Sequence, residues 1–219
     1  MTGRRTLAVL VSGSGSNLQA LLDASAAPAF PARVGVVLSN VPGVLALERA
    51  RTAGVPTVVL PQQAHPGRAA YDAALVAALA PFRPDIACLA GFMRLVGADF
   101  LRAFPAGVLN IHPALLPSFP GLHGVRQALE HGVKVTGCTV HLVDEGADTG
   151  PIVAQAAVPV LDGDTEATLA ARIQREEHRL YPLAVRLLAT DAVQRDGRRL
   201  RGGASPEASD LALRNPGPG

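Results

Sequence analysis

The chain has 219 residues, 48% of them apolar, enough to bury a sizeable core in one large domain or two small ones. A balance of 20 Lys and Arg against 18 Asp and Glu excludes a broad nucleic-acid or membrane-binding surface, so affinity for anions must be local even though the isoelectric point is near 8.8. Cys88 and Cys138 lie in apolar strand-like runs and read as reduced core residues, not a disulfide framework; with no signal h-region and no run approaching the ~18 apolar residues of a membrane span, a cytoplasmic protein is expected.

Strand and helix patterns alternate from the start. An apolar run at 7–11 precedes a helix from 17 to about 24, a strand at 34–38 and a helix at 44–53. The cadence continues through a strand at 56–60, an amphipathic helix at 68–79, a strand at 86–90, a short helix at 98–104 and a strand ending at His112. A helix at 124–130 is followed by runs at 134–143 and 152–160, joined by a turn-rich segment that suits antiparallel additions. A helix from 165 to about 188 closes the pattern. The expectation is one α/β domain over 1–190: a Rossmann-like, mostly parallel twisted sheet of about seven strands with helices on both faces. From 191 to 219, five Arg, five Gly and three Pro without periodicity predict a loosely ordered tail, with at most a short strand near Arg199 and Leu200.

The chemistry centres on Val108-Leu109-Asn110-Ile111-His112-Pro113. Side chains alternate along a strand, so Asn110 and His112 share one side while Leu109 and Ile111 take the other. Pro113 cannot continue a central ladder, which puts His112 at the strand's carboxyl end, where open parallel sheets bind ligands. A strand-end His and Asn satisfying loop backbone would look the same in isolation.

Ser12-Gly13-Ser14-Gly15-Ser16-Asn17-Leu18 bridges the first strand and first helix, where backbone N–H groups and the helix dipole favour an anion. Leu18 occupies the third glycine position of a dinucleotide fingerprint, the second strand ends in Ser39-Asn40 without an acidic residue, and no Gly-Lys-Ser/Thr follows, so a single phosphate monoester fits best. Beyond the fourth strand, Gly91 permits close backbone approach, and Phe92, Met93 and Leu95 can line an apolar slot with Arg94 at its mouth. Asp144-Glu145-Gly146-Ala147-Asp148-Thr149-Gly150-Pro151 is a turn by composition. If the strand before it pairs beside the His112 strand, Asp148 reaches the imidazole, orients it and makes it a usable proton donor. In the last helix Leu169, Ile173, Leu180, Ala184 and Leu187 mark an inward stripe on which Glu177 falls. That carboxylate needs a partner: ligand hydroxyls, an amine, or an arginine such as Arg172 or Arg179. His141 reads as buried support, and no spacing signature for a metal site is present.

Together, Ser12-Gly-Ser-Gly-Ser-Asn17, Leu89-Ala-Gly-Phe-Met-Arg94, Asn110-Ile-His112-Pro-Ala-Leu-Leu-Pro117, Phe119-Pro-Gly-Leu-His123 and Asp148-Thr-Gly-Pro151 closely resemble the phosphoribosylglycinamide formyltransferase family of folate-dependent transformylases, over about residues 6–190. The resemblance implies transfer of a formyl group from 10-formyltetrahydrofolate to the amine of 5'-phosphoribosylglycinamide in de novo purine synthesis, with no metal. It implies Asn110, His112 and Asp148 as catalytic residues; Gly15, Ser16, Asn17, Gln174 and Glu177 as ribonucleotide contacts; and Arg68, Met93, Arg94, Leu95, Val96, Asn110, Asp144, Glu145, Gly146, Ala147 and Asp148 as folate contacts. Arg68 and Arg94 would then face the anionic glutamate tail of the folate. The alternatives are a formyltetrahydrofolate hydrolase, a formyltransferase for another amine such as methionyl-tRNA, and a non-catalytic nucleotide-binding module. Small-molecule substrates are expected and nucleic acid or membrane partners are not. Monomer and homodimer stay open, as do the polyglutamate preference, the purpose of the tail and any closure of residues 113–121 over the site.

Overall fold

The computed structural model describes residues 3–202. Five parallel strands come first: β1 (Arg5–Val11), β2 (Ala32–Ser39), β3 (Thr57–Val59), β4 (Ile86–Leu89) and β5 (Val108–His112), linked through helices α1 (Ser16–Ala26), α2 (Leu45–Thr52), α3 (Arg68–Leu79) and α4 (Ala98–Ala103). After α5 (Gly124–Glu130), β6 (Val135–Leu142) runs antiparallel to β5, and β7 (Ile152–Pro159) antiparallel to β6. The seven strands lie in the order β3-β2-β1-β4-β5-β6-β7. The order reverses between β1 and β4, and that switch point is where the carboxyl ends of the strands leave a crevice.

Continuous burial of 6–11 in β1 and of all of β4 explains their unbroken apolar sequences: each has strands on both sides and helices on both faces. One core layer joins Val9, Leu109, Ile111, Leu18 and Leu21 to the long helix α6 (Glu166–Ala189); the other joins Leu10, Leu89, Tyr71, Leu75 and Phe100 to α3 and α4. Helix α6 starts with a capping box in which Thr165 accepts from the Thr168 N–H and the Thr168 side chain accepts from the Thr165 N–H. Its buried face is Leu169, Ile173, Glu177, Leu180, Tyr181, Ala184 and Val185. Leu187, expected on that face, is only partly buried; Tyr181 takes the central place, its hydroxyl within 2.9 Å of the Leu89 carbonyl and 3.2 Å of the Leu109 carbonyl.

Where composition predicts a loose tail, residues 193–202 form a hairpin of β8 (Val193–Asp196) and β9 (Arg199–Gly202). Asp196-Gly197 supplies the turn, with Gly197 at φ 60°, and an Arg201–Asp196 ion pair of 2.6 Å spans the strands. Arg198 ties it to the domain by donating to the Thr149 carbonyl at 3.1 Å. The rest of the expected tail, 203–219, lies outside the described residues. No helix among the described residues is long and apolar enough to cross a membrane.

Candidate active site

Leu109 and Ile111 enter the core layer beneath α6, so Asn110 and His112 project from the opposite face of β5. The antiparallel register sets His141 across from Asn110 and Thr139 across from His112, which brings four polar side chains to one face of two adjacent strands. The turn after β6 then folds back over the end of β5. Asp144 Oδ1 closes that turn by accepting from the Gly146 N–H at 3.1 Å and the Thr149 hydroxyl at 2.6 Å, and Asp148, left-handed at φ 55°, points into the cluster.

Asp148 Oδ2 lies 3.3 Å from His112 Nδ1 and accepts the Gly121 N–H at 2.8 Å. Its Oδ1 accepts from Asn110 Nδ2 at 3.3 Å and stands 3.4 Å from His141 Nε2. His112 Nε2 is 2.7 Å from the Phe119 carbonyl, an obligate acceptor, so Nε2 carries its hydrogen there and Nδ1 is the nitrogen turned toward Asp148. His141 is held likewise: Nδ1 lies 3.0 Å from the Leu142 carbonyl, and Nε2 stands between Asn110 Nδ2 at 3.1 Å and Asp148 Oδ1 at 3.4 Å. Burial works against ionisation of Asp148, but the His141 contact, the Gly121 N–H and the His112 ring outweigh it and hold the carboxyl below the usual carboxylate range. The cluster therefore has a fixed anion, an aimed amide and a ring with one nitrogen available for proton transfer.

Behind it, the buried Thr139 hydroxyl donates to the Ala114 carbonyl at 2.7 Å and accepts from the Leu116 N–H at 3.0 Å. Gln155 Nε2 adds a bond of 2.9 Å to the Leu116 carbonyl, so the first part of the 113–121 loop is fastened to β6 and β7.

At the switch point, the turn after β1 leads into α1 through Gly15 at φ 72°. A Cβ there would come within 2.6 Å of Ala46 Cβ, so the position needs glycine for both conformation and space. Asn17 Nδ2 donates to Glu177 Oε2 at 2.9 Å and Gln174 Nε2 to Ser16 Oγ at 3.0 Å, joining the start of α1 to α6 across more than 150 residues of chain. Glu177 is 7% exposed and has no arginine partner among the described residues, where Arg172 pairs with Asp164 and Arg179 with Glu176. Burial pushes its carboxyl up, and the Asn17 amide offsets this only in part. Asn17 Oδ1 is buried with no partner among the described residues, so an acceptor and a carboxyl group stand side by side for donors.

A cavity of about 610 Å³ opens over the catalytic cluster, lined by Met93, Arg94, Leu95 and Val96, by Asp144, Gly146, Ala147 and Asp148, and by Asn110 and His112. Glu145 is exposed and stands outside the lining. Arg68 lies in an adjoining hollow of about 320 Å³ that shares Met93, Arg94 and Leu95 with the larger one. The Ser12 hydroxyl links both regions, accepting from the Met93 N–H at 2.9 Å and donating to Asn40 Oδ1 at 2.6 Å.

Strand alternation and the 144–151 turn put Asn110, His112 and Asp148 in one group, and the family resemblance put Ser16, Asn17, Gln174 and Glu177 in another; the structure has contacts within each. Sequence reasoning gave His141 only a supporting role; the signal was the Thr139-Val140-His141 alternation, which becomes decisive once its register with β5 is known. The Phe119 carbonyl and Gly121 N–H are backbone groups that no side-chain pattern reveals. Among the described residues, no group of three or more His, Cys, Asp or Glu is placed to hold a metal ion.

The sequence profile described as formyl transferase matches residues 5–185. Phosphoribosylglycinamide formyltransferase of Mycobacterium tuberculosis is 53% identical over 192 residues, covering 88% of each chain, and the Escherichia coli protein of that name is 43% identical over 201 residues, covering 89% of this chain and 95% of its own. The trifunctional purine biosynthetic protein adenosine-3 of Drosophila pseudoobscura pseudoobscura is 51% identical over 194 residues; the match takes in 88% of this chain but spans only 14% of that relative's length. Glycinamide ribonucleotide transformylase 1 from Symbiobacterium toebii superposes with a TM-score of 0.90 at 53% identity, covering 92% of this chain and 95% of its own. On the matched profile, the relatives of equal length and the shared fold, the chain belongs to the formyl transferase family and, within it, groups with the phosphoribosylglycinamide formyltransferases.

Proposed function

We propose that the chain transfers the formyl group of 10-formyltetrahydrofolate to the amine of 5'-phosphoribosylglycinamide, giving formylglycinamide ribonucleotide and tetrahydrofolate. The observation that carries this reading is the convergence of Asn110, His112 and Asp148 at a cavity whose lining residue Met93 is bonded to Ser12 of the turn before α1. The phosphate binds the N–H groups of Gly15, Ser16 and Asn17, and Gln174 and Glu177 hold the ribose end. The folate occupies the larger cavity against Met93, Arg94, Leu95, Val96 and the 144–148 turn, with its glutamate tail toward Arg68 and Arg94.

With both substrates held, the neutral amine attacks the formyl carbon and a C–N bond forms. Negative charge gathers on the former carbonyl oxygen, where Asn110 Nδ2 and the His112 ring donate; the longer of the amide's contacts, to Asp148, is the one the oxyanion replaces. The bond from carbon to the folate nitrogen then breaks, that nitrogen takes the proton from His112 Nδ1, and the attacking nitrogen loses one to solvent. Asp148 acts through His112, its Oδ2 facing Nδ1 at 3.3 Å and fixing the orientation of the ring for that transfer. No covalent enzyme intermediate is needed.

Mixing the chain with glycinamide ribonucleotide and a 10-formyl folate analogue tests the reading by absorbance. Release of deformylated folate only when the ribonucleotide is present supports it. Release without ribonucleotide indicates a hydrolase, and no release leaves a nucleotide-binding protein.

A further inference from the structure

One arginine near the helix start belongs to neither group of predicted site residues. Arg49, on the second turn of α2, donates from Nε to the Ser14 carbonyl at 2.9 Å and from Nη1 to Gln19 Oε1 at 3.1 Å. One turn earlier the Ala46 N–H donates to the Gly13 carbonyl at 3.2 Å, and Ala46 is the residue that leaves no room for a side chain at Gly15. Helix α2 therefore captures the carbonyls of Gly13 and Ser14 from behind. A peptide whose carbonyl is held on one side presents the following N–H on the other, so these bonds aim the N–H groups of the turn away from α2 and toward the place an anion would occupy.

The N–H groups of Gly15, Ser16 and Asn17 have no acceptor among the described residues, as expected for the first turn of a helix awaiting a ligand. Arg49 also makes no ion pair among the described residues, so its charge is not cancelled by a carboxylate. Its field is felt nearby: burial first, and then Arg49, hold the His178 ring below the usual imidazole range, against the pull of Asp23. His178 is thus no rival cation.

We infer that Arg49 is a positioning residue for the phosphate-binding turn, locking the Ser14 carbonyl outward and adding an uncompensated positive charge behind the site of a phosphate monoester. This rests on the reading of residues 12–17 as that phosphate site. A guanidinium is suited to the task because its planar fork bridges two acceptors in fixed geometry, which an ammonium cannot do.

Calorimetric titration of the full chain with glycinamide ribonucleotide, and with the same nucleoside lacking its phosphate, tests the assignment. Arg49→Gln weakens the ribonucleotide about tenfold and leaves the nucleoside within about twofold, because what is lost is grip on the phosphate. Arg49→Lys, with the charge but no fork, recovers part of the loss and stays about threefold weaker than the native chain. Unchanged ribonucleotide affinity in Arg49→Gln overturns the inference, as does an equal loss for both ligands, which signals a damaged fold. If Arg49→Gln does not fold, Arg49→Lys decides: native affinity there overturns the positioning role. A native chain that takes up no ribonucleotide overturns the underlying reading of the turn before any variant is compared.

Discussion

Asp148 Oδ2 stands 3.3 Å from His112 Nδ1, held there by the Gly121 N–H at 2.8 Å on the same oxygen. Asp148→Asn keeps the size of the side chain but removes the charge and offers Nδ1 a donor in place of an acceptor. Turnover is expected to fall by about 10²–10⁴, with the KM for ribonucleotide within a few-fold of native. Steady-state kinetics separates the two, and a rise in KM with unchanged kcat would remove Asp148 from the proton route.

His141 fixes the amide of Asn110 rather than touching substrate. In His141→Ala, Asn110 Nδ2 retains only its 3.3 Å contact with Asp148, and the amide is free to turn. The expected cost is about tenfold in kcat, the value of one orienting hydrogen bond, with little change in either KM. Single-turnover rates measure it directly; a native rate would show that Asp148 alone orients Asn110.

The alternation that joins Asn110 to His112 was legible in the sequence because it depends on strand period and on a proline that ends the strand, both local properties. The existence of the first five strands was legible for the same reason, each apolar run being bounded by its own helix, but not their order in the sheet. What pairs with β5 was not legible either. The turn-rich join suits antiparallel strands at 134–143 and 152–160, but nothing local fixes which strand they pair with or the register that puts His141 across from Asn110. Tyr181 escaped the helical stripe because its hydroxyl made it look polar, although the carbonyls of Leu89 and Leu109 satisfy it in the core. Of the 193–202 hairpin only a short strand near Arg199 and Leu200 was legible; its partner strand escaped because arginine and glycine content masked an Asp-Gly turn.

Glu177 predicts a pH-dependent trade between stability and binding. Burial raises its folded-state carboxyl above the ordinary 4.5, so the folded chain holds this proton more tightly than the unfolded chain. The stability it contributes is complete below the ordinary value and is lost as pH rises through the folded one. Glu177→Gln should therefore raise the Tm at pH ~7.5 by about 2–4 °C, with the gain gone near pH ~4, while ribonucleotide affinity drops. Melting curves at the two pH values check the sign, and a lower Tm at the higher pH would contradict it.

The most direct test is the single-turnover rate of formyl transfer in His112→Ala with both substrates saturating. The account predicts a rate at least about 10³-fold below the native chain while glycinamide ribonucleotide still binds, because the proton donor is gone and the helix-start site is intact. A His112→Ala chain that transfers formyl at a near-native rate would contradict it.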